Sequence, residues 1–134
     1  MPNLRVPGRR GNKHGARRSR GSGAFPEIRD RNFDSGFEAD VAQMLCIRLY
    51  AKEISDLQFQ PTISLTEAHI SWKIDFSYIE NGQLYYHEAK GFGSREYALK
   101  LKLYKVYGPA PLRVQQGSKT NSVTKEYIPT KGGE

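Results

Sequence analysis

Cysteine, long apolar runs and N-terminal acidic residues are what this chain has little of, and each shortage excludes something. Cys46 is the single cysteine among 134 residues, so no internal disulfide can staple the fold, and a reducing, intracellular and cytoplasmic setting is the simplest expectation. No stretch approaches the ~18 apolar residues of a membrane span, and no signal-peptide core of about 7–15 apolar residues follows the N-terminal charges. No Cys/His spacing suits a zinc site, no glycine loop ahead of a helix suits a phosphate cradle, and no Ser/His/Asp set can be assembled. Residues 1–20 hold no Asp or Glu, while Arg5, Arg9, Arg10, Lys13, Arg17, Arg18 and Arg20 give them seven positive charges, equal to the whole net charge of +7. The other 114 residues carry 14 charges of each sign. The pattern is a neutral domain with a cationic arm, and a polyanion, most often nucleic acid, is the partner that fits it.

The length allows one domain plus tails, and a mean hydropathy of -0.68 implies that part of the chain lies outside any core. Residues 1–31 combine Arg with Gly and offer little to anchor a fold, so they read as a basic arm, disordered until bound. Residues 32–116 read as the core and 117–134 as a C-terminal tail. Ser35-Gly36-Phe37-Glu38 is a capping-box pattern that opens a helix over 36–51. Residues 57–65 alternate as a strand interrupted by Pro61. Strands over 70–79 and 83–90 flank Asn81-Gly82, a hairpin signal because both residues tolerate the positive φ of a type I′ turn. Ser94 caps a second helix over 95–107, and Leu112–Val114 forms a short last strand. The expected fold is therefore a mixed α/β sheet in the order helix, three strands, helix, strand.

The hairpin register can be calculated. With Asn81 and Gly82 central, Glu80 faces Gln83, Asp75 faces Glu88 and Lys73 faces Lys90, with both of the last two pairs on one face. The other face takes Tyr78 with Tyr85, Phe76 with His87, and Ile74 with Ala89. Opposed carboxylates repel and add nothing to a sheet. A divalent cation would remove the repulsion, and carboxylates with the Ala89 carbonyl suit Mg2+ or Mn2+. Lys90 returns to the face of Glu88 by the strand period of two and could stabilise a pentavalent phosphate or orient water. The plain alternative is that Asp75, Glu88 and Lys90 form an ordinary solvated strand face.

Asp75 followed by Glu88-Ala89-Lys90-Gly91, behind a helix bearing Glu38, resembles the PD-(D/E)XK nuclease superfamily. Within it, the chain is most similar to small phage-encoded Holliday-junction resolvases of the endonuclease I type, whose first helix opens with a Ser-Gly-x-Glu pattern like residues 35–38 behind a basic arm. The resemblance spans residues 33–114. Ile74 stands where the family's nominal proline would be, and little after Val114 can be matched. The resemblance implies a restriction-endonuclease-like core, a metal-dependent endonuclease that uses Mg2+ or Mn2+, and a homodimer acting on branched DNA. It makes Asp75 and Glu88 metal ligands, Lys90 the catalytic lysine and Glu38 an outer or second-metal ligand. Glu38 has a competing role in closing the capping box with Ser35.

The second helix places Tyr97, Leu99, Leu101, Leu103, Tyr104 and Tyr107 on a wide apolar arc, with Lys100 inside it. A lysine there must snorkel or face something anionic, and Lys100-x-x-x-Tyr104 resembles a helix motif that supports the active site in some of these nucleases. DNA contacts are thus expected from Arg9, Arg10, Lys13, Arg17, Arg18, Arg20 and Lys100. Lys102 and Lys105 need no role beyond solubility. His87 and Trp72 read as packed core residues. A non-catalytic nucleic-acid-binding protein, and a nuclease for nicked, flapped or linear duplex, are the other readings this pattern admits.

Overall fold

The computed structural model describes residues 19–20, 23–90, 95–118 and 121–130. In chain order the elements are β1 (Ser19–Arg20), β2 (Asn32–Phe33), α1 (Gly36–Tyr50), β3 (Ser55–Phe59), β4 (Thr62–Ser64), β5 (Ser71–Lys73), β6 (Phe76–Glu80), β7 (Gln83–Lys90), α2 (Arg95–Tyr107), β8 (Leu112–Ser118) and β9 (Asn121–Tyr127). Five strands make one mixed sheet in the order β3-β6-β7-β8-β9, with β7 and β8 parallel and the other neighbours antiparallel. This is the α/β class expected from the sequence. The parallel step from β7 to β8 is made through α2, the kind of crossover that parallel strands require.

The sheet is covered on both faces. On one, Val41, Ala42, Leu45 and Cys46 of α1 pack with Phe76 and Tyr78 of β6. On the other, Tyr104 of α2 packs with Leu112 and Val114 of β8 and with Ile63, Trp72 and Ile74. Successive residues of β7 serve opposite faces, Tyr85 and Ala89 toward α1 and Tyr86 toward α2, as the strand period requires. The apolar arc of α2 is narrower than its periodicity suggests. Tyr104 is fully buried, but Leu99 and Tyr107 are 57% and 44% exposed.

Asn81 and Gly82 adopt φ values of +53° and +79°, and Glu80 faces Gln83 as the type I′ turn predicts. The register then runs unbroken through Tyr78 with Tyr85 to Phe76 with His87. It stops there. The strand expected over 70–79 is divided at Ile74-Asp75, and the one expected over 57–65 is divided at Gln60-Pro61. These two breaks face each other. Gln60 N–H donates to the Asp75 carbonyl at 2.8 Å and Ile74 N–H to the Pro61 carbonyl at 2.9 Å. The β3/β6 pairing of Phe59 with Phe76 resumes beyond them as Thr62 with Lys73 and Ile63 with Trp72. One long hairpin thus bends where Gln60 takes φ +56° and Pro61 has no N–H to offer. Its distal half leaves β7 and joins the cluster around α2. Lys73 therefore pairs with Thr62, not Lys90, and Ile74 packs with Trp72, not beside Ala89.

Both chain ends depart from expectation. Ile28 is fully buried and Phe33 is 2% exposed, with Phe25 packed beside them, so the folded region starts well before residue 32. Three apolar residues without a period gave no signal in the sequence, yet they close the first core cluster. At the other end, Asn121–Tyr127 pairs along the whole of β8 where a tail was expected. Gly117 makes this hairpin possible, because at φ +131° an added Cβ would lie 2.4 Å from the Asn121 carbonyl oxygen. Six of the seven β9 residues are exposed, which explains the lack of hydrophobic alternation. Arg9, Arg10, Lys13, Arg17 and Arg18 lie outside the described residues, as do Gly91–Ser94; Arg20 is placed in β1, opposite Asn32.

Candidate active site

The bend of the long hairpin determines where Asp75 sits. As the first residue past the end of the β6/β7 ladder, it has lost its partner strand on one side, yet it remains beside β7. Its amide donates to Glu88 Oε1 at 3.2 Å, and its own Oδ2 accepts the Ala89 amide at 2.9 Å. The two carboxylates expected to oppose each other across a regular ladder are thus brought together by an opening in it. Glu88 is only 7% exposed, on the α2 face of the sheet, because its ladder neighbour Val114 belongs to the α2 cluster.

Glu38 completes the group from α1. Ser35 caps the helix, its Oγ accepting the Glu38 amide at 3.1 Å. Glu38, 4% exposed, brings its carboxyl close enough for Asp75 and Asp34 to act on its charge. Both expected roles of this residue are therefore separable: its backbone serves the cap while its side chain joins the acidic group.

Three carboxyl groups so placed resist ionisation. Burial is the largest cause for each. Asp75 is raised further by Glu88, and Glu38 by Asp75 and Asp34, so that both lie well above the ordinary carboxylate range. Glu88 is raised in the same direction, with the Asp75 amide, Lys90 and Lys100 pulling back.

Two lysines border the acids. Lys90 holds its Nζ 4.6 Å from the ring centroid of Tyr97 on α2, and its charge acts on Asp75 and Glu88. Lys100 pairs with Glu96 at 3.3 Å and is close enough to favour ionised Glu88. Tyr97 was visible in the sequence only as part of an apolar arc. Its position under Lys90 follows from the docking of α2 at the end of β7, which no local pattern encodes. Trp72 sits edge-on to Tyr97 at 5.9 Å and fixes that ring. Of the site residues expected from sequence, Glu38, Asp75, Glu88, Ala89, Lys90 and Lys100 come together.

The donor set is hard oxygen, from three carboxyls and a main-chain carbonyl, the chemistry of Mg2+ or Mn2+. Among the described residues no three His, Cys, Asp or Glu side chains already form a metal-holding group. Glu88 and Asp75 each spend an oxygen instead on a main-chain amide, that of Asp75 and that of Ala89. The residue types and their suppressed ionisation fit a divalent cation, while side-chain rotation would be needed to gather them around it.

The packed residues behave as the sequence suggested. His87, on the α1 face, lies between Tyr78 Oη at 2.7 Å and Gln115 Oε1 at 2.9 Å, and burial pushes it down to about 4. Among the described residues no helix is long and apolar enough to cross a membrane. Comparison of the chain with protein-family models, curated proteins and solved structures finds no match. The site has only its own chemistry to speak for it.

Proposed function

We propose that this protein is a metal-dependent endonuclease that hydrolyses DNA phosphodiester bonds, with branched DNA as its preferred substrate. The observation that carries this reading is the meeting of Asp75 and Glu88 at the opened end of the β6/β7 ladder, with Lys90 beside them and Glu38 behind. A purely structural sheet gains nothing from burying three carboxyls that must share protons. The order α1, four antiparallel strand segments β3 to β6, β7, α2 and parallel β8 supports the restriction-endonuclease-like core implied by the sequence resemblance.

In this reading Asp75, Glu88 and the Ala89 carbonyl would hold Mg2+ or Mn2+, with Glu38 as an outer ligand. Such an ion supplies charge stabilisation at the scissile phosphate and acidifies water. Lys90, steadied on Tyr97, would orient the attacking water and neutralise charge that develops on the phosphoryl oxygens. Lys100 adds a second cation on the same side. The basic residues of the N-terminal arm would hold the DNA backbone without reading sequence.

The deciding experiment is incubation of a labelled four-way junction and a linear duplex of the same sequence with the protein, in Mg2+ and in EDTA. Mg2+-dependent cuts that favour the junction, and that are lost in Asp75→Asn, are expected. Equal cleavage in EDTA would overturn the reading, and binding without cleavage would leave a nucleic-acid-binding protein.

A further inference from the structure

The charges of the folded region are segregated by face. From Glu27 to Asp56, the part built around α1, there are four cations and seven acidic residues, one of them the buried Glu38 that resists ionisation. From Arg95 to Glu126, around α2 and β9, the described residues hold six cations and two carboxylates. Two of those six are satisfied locally, Lys100 by Glu96 and Arg113 by Glu80 and Glu126. Among the described residues no carboxylate pairs with the other four, Arg95, Lys102, Lys105 and Lys125, and all four are exposed.

Their arrangement is not scattered. At 100° per residue, Arg95, Lys102 and Lys105 fall within one quadrant of α2, opposite the buried Tyr104. They form a ridge ~15 Å long, about four base-pair rises along the axis of a duplex. The ridge continues onto β9. Lys105 rests 5.0 Å over the Tyr127 ring, and Tyr127 and Lys125 face the α2 side because their ladder partners are Leu112 and Val114. Lys125 is also in register with the acidic site: Glu88, Val114 and Lys125 are neighbours across three strands, so Lys125 and Glu88 lie roughly 10 Å apart in the sheet.

From this placement we infer that the outer ridge of α2, with Lys125 of β9, is a docking surface for the phosphate backbone of duplex DNA. The inference deepens the nuclease reading and rests on it for the choice of DNA, since it gives the substrate an approach along the helix whose inner side presents Lys100 and Tyr97 to the site. The acidic α1 side would repel the same backbone and so sets the orientation. It also gives Lys102 and Lys105 work that periodicity alone did not suggest.

The test is anisotropy of a fluorescein-labelled duplex with the full chain across a salt series in EDTA. The variant is Lys102→Gln with Lys105→Gln, and the control is Arg29→Gln with Lys52→Gln on the α1 side. Two lost phosphate contacts should lower the log-log salt slope by roughly 2 and weaken binding by a little under tenfold per contact at ~0.1 M salt. The control should leave the slope as it is. An unchanged slope in the α2 variant, an equal fall in both variants, or a wild-type chain that does not bind duplex would each overturn the inference. Cleavage in Mg2+ is scored separately. A lowered slope in a protein that never cuts would uphold this surface and overturn the nuclease reading alone.

Discussion

Asp75 and Glu88 are locked to each other through main chain: the Asp75 amide donates to Glu88 Oε1 at 3.2 Å, and Asp75 in turn accepts the amide of Ala89, the residue after Glu88, at 2.9 Å. This reciprocity holds two repelling groups side by side without a counter-charge between them. It also makes them separable by mutation. Asparagine and glutamine keep an oxygen for each amide donor, so Asp75→Asn and Glu88→Gln should retain the fold and lose only charge. Cleavage by either, and by Lys90→Ala, should fall by roughly 10²–10⁴ or more, the scale of a lost acid-base or electrostatic group. Circular dichroism and duplex binding should match wild type. Full activity of Asp75→Asn would remove the metal assignment.

Stability of the metal-free protein should fall as pH rises. The carboxyls of Glu38, Asp75 and Glu88 are each harder to ionise folded than unfolded. Below about pH 4 both states hold the protons and no penalty arises. As pH climbs through neutrality, the unfolded chain has already ionised and the folded one must do so against burial and mutual repulsion. Thermal unfolding in EDTA should show Tm decreasing from about pH 4.5 to about pH 8 and levelling off above that. Mg2+ should restore Tm at the upper end, and Asp75→Asn should flatten the profile. A Tm independent of both pH and Mg2+ would show that these groups are neither strained nor able to take an ion.

His87 predicts the opposite slope in acid. Arg113 donates to Tyr78 Oη, Tyr78 to His87 Nδ1, His87 Nε2 to Gln115, and Gln115 to Ser122, a chain in which each donor already has its acceptor. Protonating Nδ1 would reverse the Tyr78 bond and set a cation beside the Arg113 relay. With His87 held down to about 4 in the fold, stability is complete above the unfolded value of about 6.5 and is lost as pH falls toward the folded one. The loss approaches about 3 kcal/mol. Equilibrium unfolding of wild type and His87→Phe should diverge in this window, the variant gaining on wild type as pH falls.

The sequence disclosed these elements unevenly, for physical reasons. Asn81-Gly82 was legible because a type I′ turn needs two positive φ angles, and it carried the register as far as Phe76 and His87. It could not carry the register further, since the bend at Gln60-Pro61 acts on β6 from the neighbouring strand and turns Ile74 to the other cluster. Asp75 and Glu88 still meet because the amide bonds bridge the gap that the bend opens. Ser35 and Glu38 were legible as a cap, but the reach of the Glu38 carboxyl to Asp75 depends on how α1 lies on the sheet. Ile28 and β9 were missed for one reason: neither has a period, the first because it is a lone anchor and the second because it is an exposed edge.

The N-terminal arm should act on affinity and not on chemistry. Its seven cations in residues 1–20 have no acidic neighbours in sequence, so they can follow phosphates wherever these run. Deleting residues 1–20 should weaken binding to linear and branched DNA alike. If about four of the cations reach phosphate, the log-log salt slope falls by roughly 3–4. The single-turnover rate at saturating DNA should change far less. An unchanged slope would assign the arm to another partner.

On the proposed junction reading, assembly follows from the substrate. The described residues form one acidic site, whereas resolving a four-way junction takes two symmetric cuts, so the active form should be a two-fold dimer with its sites on opposed strands. The apolar exposure that could support it lies on α1, where Met44, Ile47 and Tyr50 recur every three residues and are 41%, 52% and 54% exposed. This surface is remote from the cationic ridge of α2, so both can be used at once. Light scattering of the free protein and of its junction complex should give two chains, and Ile47→Glu should shift the complex toward one chain while leaving duplex binding intact. Mapping on both strands should find paired nicks related by the junction's symmetry in wild type and unpaired nicks in Ile47→Glu. A single wild-type chain on the junction, cutting linear duplex equally well, would remove junction resolution and leave a nuclease for simpler DNA.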